Sequence, residues 1–252
     1  MTYLRSLVMA FSLYSRIPMP HIKWDAESKK RLFCFFPAVG AAIAVLLLIW
    51  TRVSEAAGFP LIMESAIYVA IPYLVSGGIH FDGFLDVTDA IASCSTREKR
   101  LAIMKDPHTG AFAVSGGIVW FLVFYGCSAA ILQEAVPGAC FIFIISRGLS
   151  GLLVMNMKSA RPDGMLSGTT DKTERQKVSA VLAGWVVLAI FLMMCVGGAK
   201  MILPGLAGII WTFLFVRMAQ DRFGGITGDL AGYFLTWCEL IMTVAFAAVS
   251  AL

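Results

Sequence analysis

The chain has 252 residues, 59% of them hydrophobic and only 14% charged, with a mean hydropathy of +0.81. A water-soluble domain of this size is about 45–50% apolar and about 25% charged, so the surplus apolar surface must face lipid. The net charge of +4 is small, and Lys and Arg lie scattered between apolar stretches, which argues against nucleic acid as a partner.

At the N-terminus Leu4, Leu7, Val8 and Phe11 repeat at i, i+3, i+4, i+7. This predicts an amphipathic helix lying in the membrane interface or tucked against the other helices. Ser12, Ser15, Arg16, Pro18 and Pro20 break the apolar run too early for a secretory signal. Apolar stretches then predict spans at about 33–53, 62–79, 111–132, 139–157, 178–197, 202–219 and 233–252. The second is the weakest, because Glu64 opens it and Pro72 interrupts it. The expected fold is all-α: a polytopic transmembrane bundle of about seven helices with an interfacial N-terminal helix, forming one integral-membrane domain over residues 1–252. Six cysteines are present without a C-x-x-C pair, so neither a zinc site nor a disulfide framework is expected.

Orientation follows from where the basic residues fall. Residues 1–32, 80–110, 158–177 and the Arg217–Arg222 connection hold seventeen of the twenty Lys and Arg. The alternate connections hold Arg52 and Lys200, and Arg147 lies within a span. The bias predicts that these four segments are cytoplasmic, that the membrane is the cell inner membrane, and that Leu252 lies outside. The cytoplasmic segments also hold most of the Asp, so chemistry is expected on that side.

The densest motif is His80-Phe81-Asp82-Gly83-Phe84-Leu85-Asp86-Val87-Thr88-Asp89. Asp82, Asp86 and Asp89 stand at i, i+4, i+7, one face of a helix. Three carboxylates there repel one another unless a cation joins them, and an all-oxygen set suits Mg²⁺ bridging to substrate phosphates. The plain alternative is a solvated helix face, but the apolar flanks place these acids at membrane depth, where ionisable groups are usually functional. His80 is a candidate catalytic or substrate-contacting residue, with a capped structural histidine as its alternative.

Lys105-Asp106 sits against the third span and is a candidate phosphate-contacting pair; Arg97, Lys99 and Arg100 nearby read more simply as a positive-inside loop. Arg147, in the middle of an apolar span, needs a carboxylate or phosphate partner, and Arg161 is a second candidate anion contact. Asp221-Arg222-Phe223-Gly224-Gly225-Ile226-Thr227-Gly228-Asp229 reads as a broken turn. Amides of Gly224, Gly225 and Gly228 and the Thr227 hydroxyl are expected to cradle phosphate, with Asp229 adding a metal oxygen. The plain alternative is an ordinary glycine-rich loop. The residues alone thus point to a membrane-embedded, Mg²⁺-dependent enzyme acting on a phosphate or diphosphate substrate, without naming it.

Taken together, Ser15-Arg16-Ile17-Pro18, Gly77-Gly78-Ile79-His80-Phe81-Asp82-Gly83 with Asp86 and Asp89, Met104-Lys105-Asp106, Gly110-Ala111-Phe112, Ala160-Arg161-Pro162 with Gly164, and Gly224-Gly225-Ile226-Thr227-Gly228-Asp229 resemble the cobalamin synthase, or adenosylcobinamide-GDP ribazoletransferase, family. The likeness runs nearly end to end; Ala113 departs from it, standing where a glycine is expected. The resemblance implies that adenosylcobinamide-GDP is joined to α-ribazole or its 5′-phosphate, releasing GMP, with Mg²⁺ as the metal. It assigns Asp82, Asp86 and Asp89 as metal ligands, Asp229 as a further ligand or a base, and Lys105, Arg147 and Arg161 as phosphate contacts. Homo-oligomerisation is left open. CDP-alcohol phosphotransferases are the nearest rival in chemistry, but their D-G-x-x-A-R run is absent: Asp82-Gly83 continues as Phe84-Leu85-Asp86-Val87. The aspartate spacing does not fit aromatic prenyltransferases either. A transporter is expected to show two related halves with paired broken helices, and no internal repeat is visible.

Overall fold

The computed structural model describes residues 2–133, 137–161 and 171–251. Pro162 and Gly164 lie outside them. Among the described residues the chain is helical, and its sole β-type pairing is an isolated bridge between Ser159 and Ile226.

Helix α1, Thr2–Tyr14, buries Ser6, Met9 and Ala10. That i, i+3, i+4 stripe packs on Leu32, while Tyr3 and Leu4 stay exposed. The expected N-terminal helix is therefore present, but the stripe it docks on the bundle is Ser6, Met9 and Ala10 rather than the predicted Leu4, Leu7, Val8 and Phe11, none of which is fully buried. Helix α2, Ala26–Arg31, starts at Asp25, whose carboxylate accepts from the Ser28 backbone N–H at 2.8 Å, an ordinary N-cap. A 3₁₀ turn, Leu32–Phe35, leads into α3, Phe36–Ala57, which stops at Gly58 in the left-handed region.

Helix α4, Leu61–Ser76, is followed after two residues by α5, Ile79–Ala92, and the two axes are bent by 93°. The predicted span 62–79 is thus shorter than expected. Sixteen residues rise roughly 24 Å, less than the roughly 30 Å of a hydrocarbon core. The physical cause is Gly77-Gly78, with φ of +63° and +79°, a backbone that side chains with a Cβ rarely adopt.

Then follow α6, Arg97–Ile103; α7, Ala111–Gln133; a 3₁₀ turn, Pro137–Phe141, that runs into α8, Ile142–Asn156; α9, Lys172–Gly197; α10, Ile202–Phe223; and α11, Gly228–Ser250. Among the described residues six helical stretches are long and apolar enough to cross a membrane, and the bent α4–α5 pair makes a seventh if it counts as one span. The last span starts at Gly228, earlier than the predicted 233, so Asp229 belongs to its first turn. Helices α8 and α11 form the centre; α7, α9 and α10 turn apolar side chains such as Leu122, Val187 and Phe213 outward, a surface that suits lipid.

The four basic segments meet at one end of the bundle. The Arg16 N–H donates to Val75 O at 2.7 Å, Arg161 to Leu101 O at 3.1 Å and Arg100 to Arg222 O at 3.4 Å, and Arg31 pairs with Glu174 at 3.7 Å. The chain crosses over elsewhere through Trp50 to Glu64 O at 3.0 Å and Tyr125 to Ile62 O at 3.3 Å.

Candidate functional site

Asp82, Asp86 and Asp89 all fall on α5; Asp82 is exposed and the other two are half-buried. What sets a partner opposite them is Gly83. A Cβ there would lie 2.6 Å from the carbonyl oxygen of Asp229, so α5 and α11 touch backbone to backbone at that level. This contact carries Asp229 to the row. Asp86 has Asp82, Asp229 and Asp89 as its charged neighbours of like sign, and Arg161 as its cation. The Arg161 guanidinium stands 3.5 Å from the Asp229 carboxylate and is anchored on Leu101 O. Arg161 is brought there by Ser159-Ala160, which pairs with Ile226 through Ala160 N–H to Ile226 O at 2.9 Å and Ile226 N–H to Lys158 O at 2.8 Å.

Asp89 departs from its expected role. Its two oxygens accept the backbone N–H groups of Gly110 and Ala113, at 2.5 and 2.8 Å. Those groups open α7 and have no partner within their own helix, so Asp89 acts as the cap that ties α7 to α5. Gly110 is required there, since a Cβ would lie 2.7 Å from the Asp89 carboxylate. Among the described residues no three His, Cys, Asp or Glu side chains close around a single point, so the expected four-aspartate cage is not assembled. What remains is Asp82, Asp86 and Asp229: oxygen donors only, with excess negative charge facing one guanidinium. That donor set fits Mg²⁺, which takes one or two carboxylates and completes its shell with water and substrate phosphates.

The glycine loop also differs from expectation. Gly224, at φ +73°, is the C-cap of α10. The amides of Gly224 and Gly225 donate to Gln220 O and Ala219 O, and the Thr227 hydroxyl caps α11 by accepting from Leu230 N–H at 3.1 Å. Ending one helix and starting the next uses these groups, so Gly224 and Gly225 cannot cradle phosphate through their amides. Gly228 is exposed at the open first turn of α11, where amides do remain unpaired.

His80 is buried, its ring tilted on Phe36 and stacked on Tyr14 with centroids 6.1 Å apart. Two residues subtend about 200° around a helix, so the ring points away from the Asp82 side. The structure therefore takes His80 out of the carboxylate row. Lys105 is exposed one turn beyond Leu101, the residue that anchors Arg161. Asp106 makes a local turn: the His108 backbone N–H and ring hold its carboxyl below the usual range.

Arg147 is 1% exposed and pairs with Glu239 at 2.6 Å, with Ser146 and Phe143 O as further partners. Glu239 lies ten residues along α11 from Asp229, roughly 15 Å at 1.5 Å per residue. The phosphate-contact expectation for Arg147 is accordingly replaced by a buried ion pair between α8 and α11. Glu239 was visible in the sequence as an acid in the middle of the last span, the complement that a lone basic residue in another span calls for.

The family model described as cobalamin-5-phosphate synthase matches residues 6–247. The chain belongs to the cobalamin-5-phosphate synthase family. A protein of Lachnoclostridium phytofermentans named adenosylcobinamide-GDP ribazoletransferase is 36% identical over 97% of this chain and 94% of its own. Like-named proteins of Pseudomonas fluorescens and Clostridium botulinum are 31% and 28% identical, each over 94% of both chains. No solved structure matches, so cobalamin-5-phosphate synthase membership rests on sequence.

Proposed function

We propose that the chain transfers a cobinamide phosphate from adenosylcobinamide-GDP to α-ribazole or its 5′-phosphate, on the cytoplasmic side of the cell inner membrane. The observation that carries the reading is the meeting of the α5 aspartates with Asp229 and Arg161, in a chain of this family. A ribose hydroxyl oxygen bonds to the phosphorus attached to cobinamide. The phosphoanhydride bond to the second phosphorus breaks, GMP leaves with the electron pair, and a carboxylate of the row takes the hydroxyl proton. Such a step depends mostly on positioning and charge neutralisation.

Arg161 and Lys105 supply the cationic contacts for diphosphate oxygens, and the open amides at the start of α11 supply neutral donors. One or two carboxylates of the Asp82, Asp86 and Asp229 row would hold Mg²⁺, which when bound neutralises charge building on the phosphates. The gathering of seventeen of twenty Lys and Arg into the segments that meet at this end supports the cytoplasmic placement.

The test is GMP release from adenosylcobinamide-GDP by membranes containing the chain, with and without α-ribazole, and after EDTA treatment followed by Mg²⁺. Release that needs both acceptor and Mg²⁺ is expected. Release without acceptor marks a hydrolase, and no release sinks the proposal.

A further inference from the structure

The Ser15-Arg16-Ile17-Pro18 segment lies outside the aspartate site, yet it forms one wall of a cleft of about 650 Å³ between α1, residues 15–24 and the α4–α5 turn. Ser12, Arg16, His21, Trp24, Gly77 and Ile79 line it. That volume is in the range of small-molecule sites. Arg16 is held there from both ends. Its backbone N–H bonds Val75 O at 2.7 Å. Its side chain lies across Gly77, where a Cβ would come within 2.4 Å of the guanidinium Nε. Among the described residues Arg16 takes part in no ion pair. A guanidinium fixed in place, exposed and without a carboxylate is prepared for an anion.

The cleft also has a direction. Ile79, on its floor, precedes Asp82 by three residues and Asp86 by seven, so all three share one face of α5. A ligand in the cleft therefore lies at the head of the carboxylate row, and Arg161 and Asp229 stand further along it. The corrinoid ring of the donor is too large for this space. A nucleoside with a planar base fits it, with the Trp24 indole available for stacking.

We infer that this cleft is the acceptor subsite and that Arg16 binds the 5′-phosphate of the incoming ribazole nucleotide, making the chain selective for the phosphorylated acceptor. The inference rests on the proposed function. In it, the acceptor's ribose hydroxyl reaches the cobinamide-bound phosphorus beside Asp82 and Asp86, and the acceptor's own phosphate stays intact on Arg16.

The test uses the full chain in phosphatidylcholine vesicles, comparing kcat/KM for GMP release with phosphorylated and unphosphorylated ribazole. Arg16→Gln should lower the ratio of the two by about tenfold or more, the loss expected for a charge-assisted bidentate contact, and Arg16→Lys should recover part of it. Inorganic phosphate should compete with the phosphorylated acceptor in the parent chain and less in Arg16→Gln. Ser12→Trp, which fills the cleft from the exposed side of α1, should raise KM for either acceptor while KM for the donor stays the same. A ratio within about twofold of the parent in Arg16→Gln, with folding verified by melting temperature, overturns the inference alone. So does an effect of Arg16→Gln seen only in phosphatidylglycerol vesicles and equal for both acceptors, which assigns Arg16 to lipid headgroups. Absence of GMP release by the parent chain overturns the proposed function and the inference together.

Discussion

Arg147 and Glu239 are each the partner the other requires, since a guanidinium or carboxylate in the middle of an apolar helix costs several kcal/mol unless paired. Removing one side leaves the other charged and buried. Arg147→Ala and Glu239→Ala are each expected to destabilise the bundle by about 3–5 kcal/mol, and the double variant by less than their sum; melting temperatures in detergent measure this. Arg147→Lys should also lose stability, because an ammonium cannot serve Glu239, Ser146 and Phe143 O with the same geometry. The aspartates divide differently. Asp89→Ala removes the cap of α7 and should cost about 1–2 kcal/mol of stability. Asp82→Asn and Asp86→Asn relieve repulsion and should leave the melting temperature equal or higher, while GMP release falls about 10²–10³-fold, the scale of losing one charge-stabilising group. Equal melting losses in all three variants would contradict this division of roles.

Among the elements, the contact of α5 with α11 matters most, because it delivers Asp229 to the carboxylate row. It depends on absent side chains: a Cβ at Gly83 would meet Asp229 O at 2.6 Å, and one at Gly232 would meet His80 O at 2.8 Å. The obstacle in both cases is backbone, which cannot swing aside. Gly83→Ala and Gly232→Ala should therefore push the helices apart and lower both melting temperature and GMP release. Gly184→Ala, on α9 with nothing within 4 Å, is the matched control; it should be neutral or stabilising by about 1 kcal/mol at most. The break between α4 and α5 explains the short second span. Hydropathy does not reveal that Gly77 and Gly78 both adopt positive φ, and so the apolar stretch alone predicts a span that continues to residue 79.

At the scale of the whole molecule, counting the bent α4–α5 pair as one crossing gives seven among the described residues, and an odd number of crossings would carry the two ends to opposite sides. A reporter active only outside the cytoplasm, fused after Leu252, should therefore be active; activity of a cytoplasmic reporter at that position would reverse the assignment. In the proposed orientation, the basic segments that share one end of the bundle carry the N-terminal helix, α6 and the 158–161 segment to the cytoplasmic side.

By itself the amino-acid sequence determined the class of fold, nearly every span, the gathering of basic segments and the placing of three aspartates on one helix face. These depend on composition, on a 3.6-residue period and on charge counts, all of which are local or additive. The tertiary structure decided which partners each charged side chain has. Arg147 meets Glu239 across 92 residues, Asp89 meets Gly110 across 21, and Asp229 reaches Asp86 only because Gly83 lets two backbones touch. Whether a buried polar group binds a substrate or holds two helices together depends on what packing sets opposite it. No local pattern records that, and so the same motif residues divided into a carboxylate row, a helix cap and a buried ion pair only once the helices were packed.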